Sequence, residues 1–225
     1  MTSTEPWQNS AHSLISPDLR EQVLNWLDDH VPPSRIKHIL GVEQMALDLA
    51  HCHQLDAASA QMAGLMHDLA KYFHPQMLLQ RAMAEKIPLD DILRSHPHLL
   101  HADVSAVIAR EEFGIEDTEV LAAIANHTLG QPEMSPISCV VFLADTLEPG
   151  RGETPELEAL RSLCFENLEG AVWKTCDYTL NYLMKSAQVI HPRVILTRNW
   201  AIATASKIKL KIHPQEKRSE NPLLQ

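Results

Sequence analysis

Six residues of this chain carry side chains that bind transition metals and sit where a helical core should be apolar: His38, His67, Asp68, His101, His127 and Asp145. His67 and Asp68 follow Ala57, Ala58, Ala60, Met62, Ala63, Leu65 and Met66, a run apolar nearly all round that belongs in a core. A carboxylate in such a place must be paired, hydrogen-bonded or bound to a metal. For a single His-Asp pair the ordinary explanation is an ion pair, here with Lys71 one turn away. The pattern recurs, however. His38 lies near the start of an apolar helix, and His101 opens another in Leu100-His101-Ala102-Asp103-Val104. His127 ends Ile124-Ala125-Asn126, and Asp145 ends the most apolar run of the chain. Each alone is more often a satisfied core group, a cap or a surface residue; six in series point to one inward-facing site.

Mixed imidazole and carboxylate donors suit a transition metal. Four histidines and two aspartates can serve two ions if one carboxylate bridges them. Asp68 is the expected bridge, because neighbours on a helix diverge by about 100° and can face different ions. Paired ions about 3.5–4 Å apart promote phosphoryl displacement. Arg35 and Arg151 are candidate phosphate clamps, since arginine binds phosphate oxygens bidentately. Lys71 can neutralise a transferring phosphate, and Thr128 can donate a hydroxyl to it. Each has an ordinary alternative: a surface arginine, a Lys71–Asp68 ion pair, a threonine in a cap or turn.

The elements that must position these groups read as helices throughout. Ser16-Pro17-Asp18 opens the first, with Ser16 as N-cap and Pro17 in its first position. The second spans about residues 35–52 and the third 57–71. Short helices follow His74-Pro75 and cover about 89–93. Ser95-His96-Pro97-His98 reads as a loop before a helix over 99–113, which Gly114 stops. Asp117 or Thr118 caps the next. Ser135-Pro136 starts the helix that ends in Asp145, Thr154-Pro155 starts another, and the last long helix covers about 168–187. The expected fold is all-α, a single-domain helical bundle over residues 17–201 around a buried dinuclear metal site. Residues 1–16 are expected to be a flexible segment. Residues 202–225 carry +3 against −13 for the remainder and are expected to be a loose basic tail.

The 225 residues suggest one domain, and 45% of them are hydrophobic, enough for a sizeable core. A net charge of −10 argues against a protein that binds nucleic acid mainly through phosphate contacts. The four cysteines form no CxxC pair and read as buried free thiols, which fits a reducing cytoplasm. No stretch approaches the roughly 20 apolar residues of a membrane span, and no signal peptide is evident.

The ordered set His38, His67-Asp68, His101, His127, Asp145 resembles that of the HD-domain metal-dependent phosphohydrolases. More closely, the chain resembles the YqeK-type symmetrical bis(5′-nucleosyl)-tetraphosphatases. The matching pieces are Arg35-x-x-His38-x-x-Gly41-Val42, His67-Asp68-Leu69-Ala70-Lys71, His127-Thr128-x-Gly130, Ala144-Asp145 with Glu148-Pro149-Gly150-Arg151, and His191-Pro192-Arg193 with Arg198-Asn199-Trp200. One departure is His101-Ala102-Asp103-Val104-Ser105-Ala106, where that family tends to have His-Gly-Pro-Val-Gly-Ala; His96 and His98 stand close by as competing ligands. The resemblance implies iron as the metal, although the donor types also admit manganese or zinc. It implies cleavage of diadenosine tetraphosphate to two ADP. His38, His67, Asp68 and Asp145 would hold one ion; Asp68, His101 and His127 would hold the other. Asp68 and Lys71 would serve catalysis, with Arg35, Lys71, Thr128 and Arg151 on the substrate. A homodimer is compatible with the sequence. Open alternatives are another HD phosphohydrolase (a nucleotidase or a cyclic-nucleotide phosphodiesterase), a non-catalytic nucleotide-binding regulatory module, and, more remotely, a di-iron oxygenase.

Overall fold

The computed structural model describes residues 14–212, with side chains as far as Ser206. Every regular element among the described residues is helical. The α-helices are α1 (Pro17–His30), α2 (Pro33–Cys52), α3 (Ala57–Met66), α4 (Pro75–Ala84), α5 (Asp91–Ser95), α6 (His101–Phe113), α7 (Thr118–Asn126), α8 (Pro136–Leu147), α9 (Pro155–Glu166), α10 (Leu168–Lys185) and α11 (Pro192–Ile212). Short 3₁₀ turns at Pro97–Leu100 and Pro149–Arg151 precede α6 and follow α8. Most starts carry a side-chain cap. Ser16, Asp56, Asp117, Ser135, Thr154 and Asn167 each accept a backbone N–H of the first turn. Such a cap stabilises a helix by about 1 kcal/mol. Gly114, at φ 66°, ends α6 in the left-handed conformation.

The centre of the bundle is α2, α3, α7 and α8. Helix α3 is built from small residues, and Gly64 explains why α2 can lie so close. A Cβ there would stand 3.0 Å from the Glu43 Cα and 3.2 Å from the Val42 carbonyl. A helix-interior glycine costs roughly 1 kcal/mol against alanine, and here that cost permits the close crossing. Leu49, Leu65, Met66, Ile124 and Leu143 are fully buried in the shared core.

Several sequence expectations need correction. Helix α3 stops at Met66, not Lys71. His67 Nδ1 donates to the Gly64 carbonyl, which would otherwise receive the Asp68 N–H, and the chain tightens into i→i+3 bonds from Lys71 to Asp68 and from Phe73 to Ala70. Helix α8 continues to Leu147, two residues past Asp145. The segment expected to be a loop at residues 95–98 is partly a 3₁₀ turn, and α5 covers 91–95 rather than 89–93. Residues 202–212, expected as tail, continue α11, while 213–225 lie outside the described residues. Of the segment expected to be flexible, residues 1–13 also lie outside them, but Ile15 is buried and the Leu14 N–H donates to Gln61 Oε1. Cys52 is exposed, whereas Cys139, Cys164 and Cys176 are buried, and all four are free.

Helix α11 explains the late His-Pro-Arg motif. His191 Nε2 lies 2.8 Å from Asp90, Arg193 donates to the Ala125 carbonyl, and Thr197 donates to the Leu129 carbonyl. These contacts pin α11 against the start of α5 and the end of α7, and so hold the turn that carries His127.

Candidate metal centre

The six residues converge from five places in the fold. His38 comes from the first third of α2, and His67 and Asp68 from the turn after α3. His101 opens α6, His127 caps the C-terminus of α7, and Asp145 stands in the last turn of α8. His67, Asp68, His101 and His127 are fully buried or nearly so.

One device orients three of the rings. His67 Nδ1 donates to the Gly64 carbonyl at 2.7 Å, His101 Nδ1 to the His98 carbonyl at 2.6 Å, and His127 Nδ1 to the Ile124 carbonyl at 2.8 Å. In each case the acceptor is three residues earlier, at a helix or 3₁₀ end; the His98 and Ile124 carbonyls also accept the backbone N–H of the same histidine. His38 uses a carboxylate instead: its Nδ1 donates to Glu148 Oε1 at 3.0 Å. With Nδ1 protonated and anchored, the Nε2 atoms of His67, His101 and His127 present their lone pairs to the centre, the arrangement typical of metal-ligating histidines; His38 Nε2 lies against the Asp145 carboxylate.

Asp68 stands between two sets of rings. Its Oδ2 lies 3.4 Å from His67 Nε2 and 4.0 Å from His38 Nε2, while its Oδ1 lies 3.4 Å from His101 Nε2 and 3.6 Å from His127 Nε2. The two oxygens of one carboxylate therefore face different pairs of imidazoles. Contrary to the expectation for neighbours on a helix, the His67 and Asp68 side chains do not diverge but converge, with His67 Nε2 3.4 Å from Asp68 Oδ2. Asp145 Oδ1 completes the first set, 3.0 Å from His38 Nε2 and 3.6 Å from His67 Nε2. The triplets His38–His67–Asp145 and His67–Asp68–His127 each bring one donor atom per residue within 4.8 Å of one another.

The donor set fits a cation. Among the described residues, His67 Nε2 and Asp68 Oδ1 are buried without a hydrogen-bond partner. His101 Nε2 and His127 Nε2 face each other at 3.1 Å, and both rings have already committed Nδ1–H elsewhere. Lys71 Nζ and Thr128 Oγ1 stand beside His101 Nε2, but His67 Nε2 and Asp68 Oδ1 keep no partner, and buried unsatisfied acceptors are costly. The electrostatics agree. Burial pushes the His67 imidazolium toward neutrality and lowers His101 to about 4. Burial acts to raise the Asp68 carboxyl, but the imidazoles of His67, His101 and His127 packed against it outweigh burial and hold Asp68 well below the usual range. Asp145 is depressed likewise, its desolvation overcome by the His38 hydrogen bond. His38 is the exception. Its desolvation is outweighed by bonds to Asp145 and Glu148, which raise its pKa.

Around this cluster stand the four expected substrate residues. Arg35 Nη1 donates to Asp68 Oδ2 at 3.1 Å, and Arg151 Nη2 donates to Asp145 Oδ1 at 2.7 Å. Lys71 does not pair with Asp68; its Nζ lies 3.0 Å from His101 Nε2, and Thr128 Oγ1 lies 3.1 Å from the same atom. His96 lies outside the cluster, its Nδ1 3.0 Å from the Ser95 hydroxyl. Ser105, at a departure from the family pattern, accepts the Ala70 N–H and so braces the turn that carries Asp68.

Sequence reasoning assigned no role to Glu148. It is 4% exposed, its Oε1 holds His38, and its Oε2 accepts the Gly150 N–H. Burial would raise its pKa, but the His38 and Gly150 bonds lower it. Gly41 makes room for it, because a Cβ at 41 would lie 2.6 Å from Glu148 Oε2. The Glu148-Pro149-Gly150-Arg151 segment was the available signal, but only the partner 110 residues away reveals what it does.

The HD domain family model matches residues 35–150, which contain the whole cluster. The chain belongs to the HD domain family, whose fold and clustered His and Asp side chains point to divalent metal binding. Within it, the chain is 37% identical over 180 residues to a protein of Halalkalibacterium halodurans named symmetrical bis(5′-nucleosyl)-tetraphosphatase, covering 80% of this chain and 95% of that one. A Bacillus subtilis protein of the same name is 33% identical over 184 residues, covering 82% and 98%. A solved structure of an HD superfamily hydrolase described as involved in NAD metabolism, from Clostridium acetobutylicum, superposes with a TM-score of 0.78 at 31% identity, covering 82% of this chain and 97% of that one. Among the described residues, no helix is long and apolar enough to cross a membrane.

Proposed function

We propose that this chain hydrolyses dinucleoside tetraphosphates symmetrically, diadenosine tetraphosphate giving two ADP, at a site holding two metal ions. The observation that carries the reading is Asp68, whose two oxygens each face their own pair of imidazole Nε2 atoms. The names of the relatives support the substrate class. His38, His67, Asp68 and Asp145 would hold one ion; Asp68, His101 and His127 would hold the other. We assign iron, with manganese and zinc compatible with the same donors. When bound, such a pair polarises phosphoryl oxygens and lowers the pKa of water.

The protein's own groups do the rest. The anchored Nδ1 atoms fix the rings, so that little reorganisation accompanies substrate binding. Arg35 and Arg151 sit at the edge of the cluster, side chains 21% and 37% exposed, with guanidinium groups able to turn from Asp68 and Asp145 to phosphate oxygens. Lys71 and Thr128 supply further donors beside His101. The mainly acidic surface leaves this patch as the local attraction for a polyphosphate and fits a free nucleotide rather than nucleic acid. Free cysteines accord with a cytoplasmic setting.

The test is metal analysis of the purified protein combined with hydrolysis of diadenosine tetraphosphate in oxygen-18 water. Two transition-metal ions per chain, and ADP carrying one oxygen-18 per cleavage, are expected. ATP and AMP in equal amounts would refute symmetrical cleavage. A protein that instead releases nucleosides or opens cyclic nucleotides would be a different phosphohydrolase.

A further inference from the structure

The metal cluster opens into a cleft of about 470 Å³ between the turn after α3, α8, α9 and α10. That volume falls within the range of about 300–1,000 Å³ typical of small-molecule sites. The polar part of its lining is Lys71, Thr128, Asp145 and Arg151, the groups already placed at the metal centre, together with Thr146 and Thr179. The remainder is apolar or aromatic, and it includes Phe142, Leu157, Tyr178 and Tyr182. Two of the chain's three tyrosines therefore line one cleft. They are four residues apart on α10 and so share one helical face. Tyr178 is half-buried, but Tyr182 is 60% exposed, a large ring left open to solvent at a site that holds anion-binding groups. A second cavity of about 490 Å³, between α2 and α9, reaches the outer side of His38 and Glu148 but is lined by none of Arg35, Asp68, Lys71, Thr128 or Arg151 and by no tyrosine.

An exposed aromatic ring beside a phosphate-binding patch matches one kind of ligand, a planar heterocycle joined to phosphates. We propose that this cleft binds one nucleoside of the substrate, with its base stacked on Tyr182 and its phosphates reaching Arg151 and Lys71. The proposal rests on the phosphohydrolase reading for the direction in which the phosphates run. Stacking on an aromatic side chain tolerates every base, because each has a π-face, and it is lost when the ring is removed. The cleft thus supplies affinity for a nucleotide over bare polyphosphate.

The experiment measures equilibrium binding of ADP and of inorganic pyrophosphate to the metal-loaded protein, as wild type, Tyr182→Phe and Tyr182→Ala. The 60% exposure of Tyr182 makes both variants compatible with folding, and thermal melts check it. Expected are ADP binding weakened about tenfold in Tyr182→Ala, within twofold of wild type in Tyr182→Phe, and pyrophosphate binding changed less than twofold in either. ADP binding unchanged in Tyr182→Ala would overturn the proposal. So would equal weakening of ADP and pyrophosphate, or a wild type that binds ADP no better than pyrophosphate. These measurements need no turnover. A normal ADP series with no central cleavage of diadenosine tetraphosphate would sink the functional reading alone, whereas central cleavage with an unaffected Tyr182→Ala would sink only the nucleoside site.

Discussion

His38 is gripped at both ring nitrogens, by Glu148 on Nδ1 and by Asp145 on Nε2. Removing Glu148 leaves a ligand histidine free to tilt and weakens its basicity. Losses of this kind typically cost 10–100-fold in metal affinity. Glu148→Ala should therefore lose metal to a competing chelator about tenfold more readily than wild type, while Glu148→Gln, whose amide oxygen still accepts from Nδ1, should lose less. Equal retention in all three would remove Glu148 from the site. At the same scale, Asp68→Ala should lose both ions, because both oxygens of that carboxylate are engaged. Metal content per chain checks this, and two ions retained would defeat the bridge. His101→Ala should also lose metal, whereas His96→Ala, outside the cluster, should not; the reverse result would exchange the two histidines.

Among the elements, α2 shows the site's demands overriding helix propensity. Gly41 sits inside the helix, where alanine would be better by about 1 kcal/mol. The Cβ of Gly41→Ala, however, would stand 2.6 Å from Glu148 Oε2 and drive the carboxylate off His38. The variant should keep its helix content by circular dichroism yet lose metal affinity about as Glu148→Ala does. The two substitutions act through one contact, so the double variant should be little worse than Glu148→Ala alone. Fully additive losses would show that Gly41 acts elsewhere. The tightened turn after α3 belongs to this scale too. It aims His67 and Asp68 at one point, which a continued α-helix would not do.

Over the whole molecule, the centre ties stability to pH and to metal. Unfolded His101 would take up a proton near 6.5, but in the fold it stays neutral down to about 4. Between those values the unfolded state binds more protons, so the metal-free protein should lose stability as pH falls from 6.5 to 4. His67 acts in the same direction. Asp68 and Asp145, lowered in the fold, withdraw further stability below pH 3.8. His38 is raised, so its contribution is complete below pH 6.5 and fades only as pH climbs through its folded value; it adds no slope in the acid window. Melting temperature against pH for the metal-free protein measures this, and a flat profile from 6.5 to 4 would contradict it. Each metal ion at a hundred times its dissociation constant should add about 2.7 kcal/mol. For a chain of this size each ion then raises the melting temperature by about 5–10 °C, reversibly on chelation.

The helical architecture was legible in the sequence because its causes are local. Ser16, Asp117, Ser135 and Thr154 cap the starts where the sequence placed them, and Gly114 stops α6. The six polar residues at the ends of apolar helices were legible for the same reason: a polar group in an apolar run is visible without knowing its neighbours. Only the tertiary structure decided what faces what. The split of Asp68's oxygens between two sets of rings depends on the turn that follows α3. The grip of Glu148 on His38 spans 110 residues. The continuation of α11 past Trp200 and the meeting of Tyr182 with Arg151 in one cleft likewise depend on packing between elements. Periodicity and capping record the hydrogen bonds a residue makes three or four positions away, and they carry no trace of contacts made across the bundle.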